Sequence, residues 1–228
     1  MLILLPYILY VVYGCFMIIY NTLYSLTFFR VCGIIIKNDG TFRKVFFMAV
    51  RKVCKVDLPE SYVVFDLETT GFTPDRAEII EIGAIRMVNG KVDSVFHSYV
   101  KPYGFLPIHI TALTGITAEM VDDAPRIDAV IPKFLQFLDE KSLPLVAHNA
   151  SFDRRFMTAY CGALGEDFSG YEIFDSLKAA RVYVPLECHK LEVIKDFFGL
   201  TFASHNAVDD CRVTAYLMEW CKAKQKRS

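Results

Sequence analysis

The sequence predicts an α/β domain, a mixed five-stranded sheet flanked by helices and preceded by an N-terminal hydrophobic helix. Three observations predict it. Short β-branched and aromatic runs recur five times between residues 61 and 175. An Asn89-Gly90 pair makes the second and third of these an antiparallel hairpin. Helical spacing then alternates with short apolar strands through the rest of the chain.

The elements follow in order. "SYVVFDLE" (61–68) is the first strand, and "TTGFTPDRAE" is a loop. Strands over 79–88 and 91–101 flank the Asn89-Gly90 turn. "YGFLPIHITALTGITAEMVDDAP" is a long connection containing Pro107 and Gly115, with a short helix starting at Thr117. Val130, Phe134, Leu135 and Leu138 space a helix over 127–140. "LPLVAHNA" (143–150) is a strand ending in polar residues, and a helix over 151–164 starts with Ser151 as its N-cap. "YEIFD" (171–175) is the fifth strand. "SLKAARVYV" and "KLEVIKDFFGL" are helical, the second closed by Gly199. The last helix, 206–226, has acids in its first turn and lysines in its last.

Charge divides the chain. Residues 1–36 carry one charged side chain, Arg30, and 37–55 carry six Lys/Arg against one Asp. Residues 56–228 hold 18 Lys/Arg and 25 Asp/Glu, a net of −7. This acidic balance excludes a basic, nucleic-acid-coating surface, so a polyanionic partner has to be held locally, for example through bound cations. Seven cysteines in no CxxC spacing argue against a disulfide framework or a zinc ribbon. The division predicts a hydrophobic anchor over 1–36, a basic linker over 37–59 and a catalytic domain over 60–228. No charge interrupts residues 2–29, a stretch long enough to span a bilayer as one helix. The positive cluster after it places the domain in the cytoplasm, tethered to the inner face of the membrane. Translation from Met48 would instead give a soluble cytoplasmic protein.

Three acidic clusters carry the chemistry. Asp66 and Glu68 are i and i+2 on a strand, so they share a face, whereas Val63, Phe65 and Leu67 take the other. Two carboxylates at the end of an apolar run repel each other and suit cation chelation better than packing. Asp153, in "VAHNASFDRRF", lies early in a helix after a strand end. His205 and Asp210, in "SHNAVDDCRV", flank the start of the last helix, and Asp209 reads as solvated. Oxygen ligands with one imidazole favour Mg²⁺ or Mn²⁺ over zinc. Two such ions roughly 4 Å apart clamp the attacking and leaving oxygens of a phosphoryl displacement.

Together "VVFDLETTG", "AHNASFDRRF" and "HNAVDD" resemble, in order and spacing, the three motifs of the DnaQ-like (DEDDh) 3′–5′ exonucleases, the superfamily of the proofreading epsilon subunit of bacterial DNA polymerase III. The likeness covers about residues 60–222. It implies a ribonuclease H-like fold and a two-metal hydrolysis of single-stranded 3′ ends to nucleoside 5′-monophosphates. By the resemblance, Asp66, Glu68 and Asp210 are metal ligands, with Asp66 bridging both ions. Asp153 is the fourth acid and His205 the general base. Leu67, Thr69 and Thr70 flank the acids beside the terminal nucleotide, and Leu113 and Thr114 of "LTGIT" touch it. His148 reads as a substrate contact or a structural hydrogen bond, and His97, His109 and His189 as surface or packing residues. DNA is favoured over RNA by resemblance alone. A polymerase partner and a stand-alone repair or turnover enzyme both remain open, as does a non-catalytic, membrane-tethered binding module.

Overall fold

A computed structural model describes the backbone of residues 8–12, 15–21, 29–35 and 46–51, and residues 56–138 and 142–227 with their side chains. The chain divides into two compact units, Met1–Lys55 and Val56–Ser228. In the first, β1 (Ile8–Val12), β2 (Cys15–Asn21), β3 (Phe29–Ile35) and β4 (Phe46–Arg51) form an antiparallel sheet in that order. The transmembrane helix expected over residues 2–29 is therefore corrected: its described parts are strands. Among the described residues, no helix is long and apolar enough to cross a membrane. The run is rich in Ile, Val, Tyr and Phe, which suit strands, and an unbroken apolar stretch carries no period that separates helix from strand. Its remaining residues, and 37–45 and 52–55 of the expected linker, lie outside the described residues. β4 falls inside the segment expected as linker.

The second unit is the predicted mixed sheet. Its strands are β5 (Tyr62–Thr69), β6 (Ile79–Val88), β7 (Lys91–Tyr99), β8 (Leu145–Ala147) and β9 (Ile173–Asp175), in the order β7-β6-β5-β8-β9. β5, β6 and β7 pair antiparallel, and β8 and β9 add parallel to β5. Asn89 and Gly90 both take the left-handed conformation that a two-residue hairpin turn requires (φ 50° and 77°).

The helices are α1 (Ile108–Thr114), α2 (Ala118–Asp122), α3 (Ile127–Leu138), α4 (Ser151–Ala163), α5 (Ser176–Tyr183), α6 (Leu191–Phe197) and α7 (Ala207–Lys226). α1 occupies what reads as a loop in the sequence. It starts behind Pro107 and stops at Gly115 (φ 74°), so the two loop signals are its caps. Ser151 is the first residue of α4 rather than its cap, because Ala150 takes that position and no side chain caps the end.

Val63, Phe65 and Leu67 of β5 enter one core with Phe134, Phe156 and Met157 from α3 and α4. Tyr62 and Val64 enter a second core with Ile194, Cys211, Leu217 and Met218 from α6 and α7. Alternation thus aims Asp66 and Glu68 at the α7 side of the sheet. The described cysteines, Cys161, Cys188, Cys211 and Cys221, are free thiols.

Candidate active site

The parallel neighbours β5 and β8 run their carboxyl ends to the same edge of the sheet, where open α/β sheets bind ligands. β5 delivers Asp66 and Glu68 there, and β8 leads into α4 with Asp153 in its first turn. α7 brings Asp210 in its first turn, with His205 just before it. All five line one cleft of about 830 Å³.

α7 can reach this edge because of Gly83. In register with Asp66 on the neighbouring strand, Gly83 faces the start of α7. A Cβ there would lie 2.5 Å from the carbonyl carbon of Ala207, so only glycine lets the helix come this close. Asn206 caps α7 by accepting from the Asp209 N–H at 3.0 Å. His205 sits in the left-handed region (φ 57°), and its N–H donates to Asp210 Oδ2 at 3.1 Å. The imidazole and the carboxylate both line the same cleft. Asp209 is not simply solvated: it accepts from the Ala203 N–H at 3.0 Å and pairs with Arg212, pinning the loop ahead of His205.

The acids carry the electrostatic signature of a cation site. Burial first, then the charges of Asp153, Glu68, Asp210 and Glu81, pushes Asp66 well above the usual carboxylate range. Burial likewise raises Glu68 to about 8, with Asp210, Glu81 and Asp153 adding to it. Asp153 rises to about 7 through burial, opposed by hydrogen bonds from its own N–H and that of Leu67. Asp210 also rises to about 7 through burial, against the hydrogen bond from the His205 N–H. Four carboxylates held this close share too little solvent to ionise together without a counter-charge. Glu68, His205 and Asp210 each place a ligand atom within 4.8 Å of the others. Oxygen donors with one imidazole, in a pocket that disfavours bare anions, fit hard divalent cations.

These acids titrate higher in the folded chain than the ordinary carboxylate value near 4 in the unfolded chain. Their contribution is therefore complete below about pH 4 and is lost as pH rises through about 7 to 8. In EDTA, the urea midpoint should fall from about pH 5 to about pH 8, and fall less in Asp210→Asn. Equal slopes in the two proteins would contradict this.

The other predicted residues divide. Leu67 and His148 line the cleft with the acids. Both ring nitrogens of His148 are engaged, Nδ1 with Ser176 Oγ at 2.9 Å and Nε2 with the His189 carbonyl at 2.8 Å. Burial lowers its pKa, so a neutral ring serves as a structural tie there. Thr69, Thr70, Leu113 and Thr114 are not among the cleft-lining residues. Thr69 Oγ1 donates to the Gly71 carbonyl at 2.6 Å, and Thr70 Oγ1 accepts from the Glu78 N–H at 2.8 Å, which closes the following loop. Thr114 Oγ1 donates within α1, to the Ile110 carbonyl at 2.9 Å. Leu113 is exposed on the same helix.

Sequence reasoning missed Phe72, Phe152, Arg181, Lys190 and Glu192, which also line the cleft. Leu177 and Arg181 are i and i+4 on α5, which puts both on the cleft wall. Glu192 Oε1 lies 3.4 Å from His205 Nε2. Their only sequence signal was proximity to the motifs, as with Phe72 directly after "TTG" and Phe152 directly before Asp153.

Four acids and a histidine thus meet in one cleft at the edge of an α/β sheet. The RNase T-type exonuclease family model matches residues 63–218, and the chain belongs to the DnaQ-like 3′–5′ exonuclease family. It is similar to the PolC-type DNA polymerase III of Clostridium perfringens, at 38% identity over 169 residues, 73% of this chain and 12% of that protein. It is also similar to that of Caldanaerobacter subterraneus, at 40% over 163 residues, 71% of this chain and 11% of that protein. The chain thus spans about an eighth or less of the length of these curated relatives. Among solved structures it resembles exonuclease X in complex with 5′-overhanging duplex DNA, with a TM-score of 0.58 and 27% identity over 72% of this chain and 92% of that one. E. coli exonuclease I with a dA16 oligonucleotide shares the fold, with a TM-score of 0.65 at 17% identity, over 74% of this chain and 42% of that one.

Proposed function

We propose that this chain hydrolyses single-stranded nucleic-acid 3′ ends to nucleoside 5′-monophosphates, with DNA favoured over RNA. The observation that supports it most is the meeting of Asp66, Glu68, Asp153, Asp210 and His205 in one cleft.

Asp66, Glu68, Asp153 and Asp210 would hold two Mg²⁺ or Mn²⁺ ions. Such ions supply Lewis-acid stabilisation of charge on the transferring phosphoryl group and offset the repulsion among the acids. His205 Nε2 takes the proton of the attacking water, the general-base task for which an imidazole nitrogen aimed into the cleft is suited. Glu192 Oε1, 3.4 Å from that nitrogen, is placed to pair with the imidazolium once the proton has been taken. The cleft, about 830 Å³, is of the size that buries a small ligand, which suits a frayed strand end better than an intact duplex. Phe72, 85% exposed at its edge, offers a face on which a base can stack.

The preference for DNA rests on the relatives, which are DNA polymerases, and on solved neighbours that hold DNA. Work beside a polymerase is the partner reading that the PolC-type likeness favours. Matched 5′-labelled DNA and RNA strands, digested separately and in competition with Mg²⁺, test the substrate. DNA should shorten faster and win the competition. Faster loss of RNA would make the chain an exoribonuclease.

A further inference from the structure

We propose that Glu81 is a positioning residue for this reaction. It locks the start of α7, and with it His205 and Asp210, in register with Asp66 and Glu68. The inference rests on the exonuclease reading of the cleft.

Glu81 lies between isoleucines in β6, and its side chain is 0% exposed. A carboxylate buried this fully is costly unless it is well bonded. Three donors converge on it. Oε1 accepts from His97 Nε2 at 2.8 Å and Asn206 Nδ2 at 3.2 Å, and Oε2 accepts from the Ala207 N–H at 3.1 Å. Two of these donors belong to the first residue of α7 and the residue that caps it.

The strand register gives the arrangement its meaning. Glu81 stands opposite Glu68, and Gly83 stands opposite Asp66. Residues i and i+2 of β6 therefore face α7 beside the two acids of β5. Gly83 removes the steric bar to the helix, and Glu81 supplies the attachment. Cys211 Sγ donates to the Gly83 carbonyl at 3.4 Å and holds the next turn.

Capping alone does not explain Glu81. Asn206 already caps α7 through its own side chain. Like charges directly across a strand pair are unfavourable, and Glu81 adds to the repulsion felt by Asp66 and Glu68. A residue chosen for stability alone would be apolar here. The position instead suits an outer partner that orients a ligand set. His97, on β7 and 39% exposed, braces the outer oxygen of Glu81 and packs edge-on against Tyr99.

The test uses the full chain with Mn²⁺ and a 5′-labelled DNA strand. Gln at position 81 would set an amide donor against donors already in place. Glu81→Gln should lower kcat by roughly 10- to 100-fold and raise the Mn²⁺ concentration needed for half-maximal rate, with little change in KM for the strand. His97→Leu should shift kcat and the Mn²⁺ requirement in the same direction, and His97→Gln, which restores a donor, should recover both. Tyr62→Phe is the structural control. It removes the 2.7 Å bond from Tyr62 Oη to Glu219, which ties α7 down away from the cleft. It should lower Tm and leave kcat unchanged. If Glu81→Gln does not fold, the two His97 variants decide. Wild-type kcat in Glu81→Gln or His97→Leu, or a loss of kcat in Tyr62→Phe as large as theirs at the same loss of Tm, would overturn the inference. Those results leave the exonuclease reading intact, because the wild type still cleaves.

Discussion

Turnover by Asp66→Asn is expected to fall by at least about 10³-fold, the equivalent of the several kcal/mol that metal ions supply to such transition states. The metal-free fold should nevertheless stay as stable as the wild type, or gain stability. Both halves come from one arrangement. Asp66 stands among Asp153, Glu68, Asp210 and Glu81, and burial with those charges holds it well above the usual carboxylate range. An amide of the same shape keeps the packing, removes one buried charge and weakens the cation site. Adding Mg²⁺ at about pH 8 should raise the Tm of the wild type and move that of the variant less, since binding to the folded state alone stabilises it. Marked unfolding of Asp66→Asn would make the residue structural and would remove the basis for reading β5 as a catalytic strand.

The second large effect is expected at a residue with no chemistry of its own. Gly83→Ala puts a methyl group 2.5 Å from the Ala207 carbonyl carbon and 2.6 Å from the Val208 nitrogen. Both neighbours are backbone, so no side chain can turn away. Overpacking of this kind costs about 1–3 kcal/mol. Here the relief has to come from moving the start of α7, which carries the site. The expected result is a lowered urea midpoint with a loss of turnover larger than that stability change explains. Gly83→Ala should also weaken the Mn²⁺ response, since His205 and Asp210 shift away from Asp66 and Glu68. A variant with wild-type kcat and a lower Tm would show that α7 can slide without harm to the site.

The sequence made the local parts of this site legible. Asp66 and Glu68 share a face by strand alternation, and Asp153 and Asp210 fall in the first turns of helices, the second marked by acids at its start and lysines at its end. The hairpin was equally clear, because Asn89-Gly90 states its backbone conformation in its residue types. What stayed hidden depends on contacts between distant segments. Glu81 reads as one acid in an isoleucine-rich strand, and its three donors come from residues 97, 206 and 207. Gly83 reads as an ordinary strand glycine until α7 is laid against it. α1 was hidden because Pro107 and Gly115 punctuate a helix as they punctuate a loop. The N-terminal apolar run misled for a different reason: hydrophobicity measures burial, and strands bury as well as helices do.

Four acids and His205 are proposed to form a cation-dependent 3′-end hydrolase. A single 5′-labelled DNA strand tests it most directly, digested by the wild type with Mg²⁺, by the wild type with EDTA and by Asp66→Asn with Mg²⁺. Such a hydrolase gives a ladder that shortens from the 3′ end in the first digest and an intact strand in the other two. An intact strand in all three, or an equal ladder from Asp66→Asn, would contradict it.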